Sequence, residues 1–111
     1  MGVQKDAGEL LLFFYDELVN KNKNQVGTKD VLDSTKWDGN KVNHAYNYLN
    51  DMGLLNGSGG LGNINGAQNF FIMRLYPEGI NIIENQPEFK RNFGFEVNLG
   101  LLKFSWGASE K

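Results

Sequence analysis

The chain has 111 residues, 41% of them hydrophobic and 13% aromatic, with two Pro and no Cys. That is the length of one ordinary domain with enough apolar side chain to build its own core, and it excludes a disulfide framework, a thiolate metal site and a disordered polypeptide. Eleven basic and thirteen acidic side chains give a formal net charge of −2, which excludes a general basic coat for nucleic acid.

The basic charge is concentrated between residues 21 and 41, where five Lys (21, 23, 29, 36, 41) stand against three Asp (30, 33, 38). On charge alone that segment reads as a solvated surface. The apolar run at residues 10–15 is flanked by acids and lacks the basic start and small-residue cleavage site of a signal peptide. No stretch approaches the ~20 apolar residues of a membrane helix. The expectation is a soluble, cytoplasmic protein with no membrane partner.

Asp6-Ala-Gly-Glu9 has capping-box spacing and predicts a helix after Asp6. Ala7, Leu11, Phe14, Tyr15 and Leu18 form one face, widened by Leu10 and Phe13, so this helix is more apolar than a surface helix needs. The polar stretch at residues 20–27 ends it. Thr28 is expected to cap a short second helix with Val31 and Leu32 inward, broken by Ser34-Thr-Lys-Trp-Asp38. Asp38 caps a third helix at about residues 39–52, with Val42, Ala45, Tyr46 and Leu49 inward and Gly53 as its left-handed stop. Trp37 is expected to fill the corner between the second and third helices.

Leu54-Leu55 starts a strand. Residues 56–68 hold five Gly and no charge, which reads as a long, mobile hairpin tip. Residues 69–75 return as a strand, and Pro77 suits the first turn of a fourth helix carrying Ile80, Ile82 and Ile83. A further helical turn runs through Phe89. Phe93, Phe95, Val97, Leu99 and Leu101 alternate with polar residues or Gly, as in a half-buried strand, and the phase slips after Leu101.

Thr28-Lys-Asp-Val-Leu32, then Lys41-Val-Asn-His-Ala-Tyr-Asn-Tyr-Leu-Asn-Asp-Met-Gly-Leu-Leu55, then Leu75-Tyr-Pro-Glu-Gly-Ile80 together resemble the winged helix-turn-helix superfamily. The match spans roughly residues 6–86. It implies an α+β fold with a three-helix core, a two-stranded wing at about residues 54–75, a fourth helix and a C-terminal strand-like extension. Residues 1–86 form the winged helix domain, and 87–111 pack on it or at a dimer interface.

The resemblance implies a DNA-binding transcriptional regulator whose third helix enters the major groove of double-stranded DNA. Carried onto this sequence, the outward contact residues of the third helix are Asn40, Asn43 and Asn47, suited to base edges, and Lys41 and His44, which can meet phosphate or guanine, with Lys29 and Lys36 beside the DNA backbone. The alternative is a protein-interaction module of the same fold. It draws on a wing without Lys or Arg from Asn56 to Asn69.

Leu10, Phe13, Phe95, Phe104 and Trp106 exceed what a minimal three-helix core covers. They are the expected interface of a homodimer or a protein partner, unless the tail packs on its own domain. One His and no Cys offer no catalytic constellation and no metal site. Gly57-Ser-Gly-Gly-Leu-Gly62 lacks the G-K-[ST] ending of a phosphate loop, so no cofactor is expected.

Overall fold

A computed structural model describes residues 2–97. Helix α1 (Val3–Tyr15) begins three residues before the predicted cap, with extended Gly2 as its N-cap. A tertiary contact lengthens it: the Gln4 side chain donates to the Asn92 carbonyl oxygen at 2.6 Å, tying the first turn to a later helix. Asp6 is therefore inside the helix. Its carboxylate lies 3.7 Å from Lys41 Nζ instead of capping.

Residues 10–15 are all buried. The helix then widens into a π-helical turn over Asp16–Asn20, with Lys21 N–H donating to Asp16 O at 2.9 Å. The wider turn keeps Leu18 in the core while Val19 stays exposed.

Strand β1 (Val26–Gly27) has no counterpart in the sequence reading, because two residues carry no readable period. Helix α2 (Thr28–Thr35) follows, with Gly27 as N-cap and Asp30 reaching back to the Gly27 N–H at 2.9 Å. Thr28, the predicted cap, does something else. Its hydroxyl donates to Gln68 O at 2.6 Å and accepts from Phe70 N–H at 2.8 Å, stitching α2 to the sheet. Left-handed Lys36 (φ 62°) ends α2.

Helix α3 (Gly39–Asp51) is capped as expected, the Asp38 carboxylate accepting from Lys41 N–H at 2.9 Å. Val42, Ala45 and Leu49 are buried. Tyr46 stacks on Phe70 with ring centroids 4.3 Å apart. Gly53 takes φ 75° and stops the helix.

Strands β2 (Leu55–Ile64) and β3 (Ala67–Leu75) are both longer than the sequence suggests. The expected open tip is mostly paired strand. Asn65 (φ 51°) and Gly66 (φ 87°) make a tight two-residue turn between paired Ile64 and Ala67, and both positive dihedrals fit the type I′ hairpin that an Asn-Gly dipeptide favours. The irregularity is confined to a bulge between Gly59 and Asn63 and a register shift after Asn56. The sheet order is β1-β3-β2, antiparallel throughout, with β3 in the middle.

Helix α4 (Pro77–Ile83) has Pro at its first position, as expected. Helix α5 (Gln86–Phe93) is longer than the single turn expected there; the Asn85 side chain caps it by accepting from Glu88 N–H at 3.1 Å, and left-handed Gly94 ends it. Phe93 is thus the last residue of a helix and not the start of a strand. Phe89 and Phe93 are fully buried, and Phe93 lies against α1, where a Cβ on Gly8 would come within 2.7 Å of the Phe93 Cβ. The predicted strand at Leu99 and Leu101 lies outside the described residues.

The protein is therefore an α+β fold of five α-helices and one three-stranded antiparallel sheet among the described residues. One apolar core joins α1, α3, α5 and the inner side of β3. No helix among these residues is long and apolar enough to cross a membrane.

Candidate functional site

Thirteen residues of α3 carry the candidate contacts, and helical geometry sorts them. With Val42, Ala45 and Leu49 buried, the opposite stripe is Asn40, His44, Asn47 and Asp51, all exposed. Three of the predicted contact residues, Asn40, His44 and Asn47, thus share one open face.

Asn43 and Lys41 lie on the flanks and are already engaged. The Asn43 amide donates to Gly66 O at 3.0 Å, and its carbonyl accepts from Gln68 N–H at 2.7 Å. Asn43 is thereby a two-point clamp on the hairpin turn rather than a free amide. Lys41 Nζ sits 4.4 Å over the Trp37 ring and 3.7 Å from Asp6, on the side facing α1.

The hairpin lies beside α3 for a second reason. A Cβ on Gly39 would stand 2.6 Å from both Asn65 O and Gly66 C, so only glycine lets the start of the helix touch the turn backbone. Gln68 Nε2 donates to Asn47 Oδ1 at 3.2 Å and extends the contact along α3. Gln68, Gly39 and Gly66 belong to this surface although sequence reasoning does not place them there. The signal that could have found them is Asn65-Gly66, which fixes the hairpin register and so aims Gln68.

On α2, Lys29 pairs with Asp33 at 2.8 Å, both side chains being exposed. The hydrogen bond to Asp33 raises the Lys29 ammonium above its ordinary pKa, and the same bond lowers Asp33. Among the described residues, Lys36 and Arg74 are the Lys and Arg side chains outside any ion pair. Surface pairs such as Lys29–Asp33 are weak and exchangeable, so Lys29 and Lys36 can both reach an anionic partner.

The expected interface residues separate. Leu10 is 0% exposed and Phe13 1%, so both are spent in the protein's own core and are no docking face. The apolar excess of α1 is covered by α3, α5 and the sheet. Phe95 is half-buried, edge-on to Phe89 at 5.2 Å with Lys5 Nζ 5.3 Å from its ring centroid. Phe104 and Trp106 lie outside the described residues. The most exposed large apolar side chain among the described residues is Leu61, at 95%, in the β2 bulge.

Among the described residues no three His, Cys, Asp or Glu side chains converge as a metal set. Comparison with protein-family models, curated proteins and solved structures gave no match.

Proposed function

We propose that this protein is a winged helix-turn-helix module that binds double-stranded DNA, with α2 and α3 as the helix-turn-helix and β2–β3 as the wing. The order α1, β1, α2, α3, β2, β3 supports the reading, as does the pairing of β1 with β3. The observation that carries it is the exposed stripe of Asn40, His44 and Asn47 with a hairpin clamped beside it. Amide and imidazole groups spaced along one helix face suit hydrogen bonding to base edges in the major groove. Lys29 and Lys36 meet phosphate, while Lys41 and Asn43 position the helix and the wing.

A fluorescence-anisotropy titration of duplex DNA at about 50 and 200 mM salt tests this. Two neutralised phosphates predict a loss of affinity of about tenfold over that range. No binding at low salt rejects the reading. A protein partner is the second reading, favoured by one feature: an uncharged β2 with Leu61 standing in solvent. Binding would then survive Asn47→Ala and fail with Leu61→Ser.

A further inference from the structure

Asn-Gly occurs twice in the sequence, at Asn56-Gly57 and Asn65-Gly66. This dipeptide is chemically labile because glycine, lacking a Cβ, lets its own amide nitrogen approach the preceding asparagine side chain. The two copies sit in very different places. Asn56 is half-buried and within a ladder, opposite Arg74, with Gly57 opposite Ile72. A Cβ on Gly57 would come within 2.3 Å of Phe71 O, so this backbone is packed closely against β3. Asn65 and Gly66 are exposed at the hairpin end. The Asn65 side chain has no hydrogen-bond partner among the described residues, and the Gly66 N–H meets only Asn63 Oδ1, at 3.4 Å.

We infer that Asn65 is a site of spontaneous self-modification, converting to aspartate and isoaspartate while Asn56 is protected by its ladder. The Gly66 amide nitrogen gives up its proton and attacks the carbonyl carbon of the Asn65 side chain. The bond from that carbon to the Asn65 amide nitrogen breaks, and ammonia leaves with the proton. Water then opens the cyclic imide at either carbonyl. One product is aspartate. In the other the backbone runs through the former side-chain methylene and is one carbon longer.

Closing the ring requires the Asn65 carbonyl to rotate away from Gly39 and the Gly66 carbonyl to leave Asn43. The clamp on α3 therefore sets the rate, and the product undoes the clamp. Both products add a negative charge beside α3, and the isoaspartyl product also breaks the match between Ile64 and Ala67.

The test is peptide mapping by mass spectrometry of the full-length protein aged at mildly alkaline pH, folded and in urea. Asn65 is expected to convert about tenfold faster than Asn56 in the folded protein, with the two rates converging in urea. Asn43→Ala is expected to speed Asn65 alone. Conversion of Asn56 as fast as Asn65 in the folded protein overturns the inference, as does equal acceleration of both sites by Asn43→Ala, which would mean that global unfolding sets the rate.

Discussion

Glu17 sits in the π-helical turn at 5% exposure, held by Lys21 at 2.8 Å and by Lys23. Burial pushes its carboxyl upward, but the hydrogen bonds and charges of the two lysines outweigh that and leave it below the ordinary value. The hydrogen bond that Lys21 donates to Glu17 likewise raises Lys21. A depressed carboxyl stabilises the fold above the unfolded glutamate value of about 4.3, and that gain is lost as pH falls below it. A raised lysine stabilises below its ordinary value and loses that gain as pH climbs past it. Glu17→Gln should therefore cost about 1 kcal/mol at neutral pH, and almost nothing in acid. Urea unfolding at several pH values checks this; an unchanged acid limb would mean the pair is worthless. The sequence could not show the Glu17–Lys23 pair, since a lysine six positions on reaches back only because the helix widens at Asp16. Asn43 makes the same point: its place on the wheel was legible, but the hairpin that folds back over it was not.

Between elements, α3 meets the turn between β2 and β3 at Gly39, where a Cβ would clash with the turn backbone. Helix propensity alone favours Gly39→Ala by up to about 1 kcal/mol. The clash with three backbone atoms should win, giving a net loss of roughly 1–3 kcal/mol. Chemical denaturation measures the sign directly, and a stabilised variant would show that the contact yields easily. Caps and apolar spacing make α3, α4 and Gly53 readable in advance. Five glycines in thirteen residues hide the hairpin, because a Gly-rich run reads as freedom while the Asn65-Gly66 pair within it encodes a specific turn. The upstream growth of α1 is illegible for another reason: it depends on Gln4 finding Asn92, a contact 88 positions away.

Across the whole molecule, the last described helix belongs to the same core as the first. Phe89 and Phe93 are 0% and 1% exposed, and Phe93 fills the space that Gly8 leaves open on α1. Losing a buried Phe costs about 3–5 kcal/mol, and a domain of this size has about 5–15 kcal/mol in total. A protein truncated after residue 85 should therefore lack a cooperative thermal transition. A sharp melt near the full-length midpoint would show that α5 is dispensable. The aromatic excess of the sequence is thus largely absorbed inside one molecule, as far as Val97.

The central place of β3 also sets an order of events. Its pairing with β2 is local and can zip from the Asn65-Gly66 turn, whereas its pairing with β1 joins Val26 to Ile72 across two intervening helices. Non-local pairing carries the larger loop-closure cost and forms later. The sheet should therefore grow outward from the hairpin and accept its third strand only once α2 and α3 have docked. In native-state amide exchange, bonds between β1 and β3 should open at a lower free energy than those between β2 and β3 next to the turn. Thr28, bonded to both Gln68 and Phe70, would act as the latch that closes last and opens first.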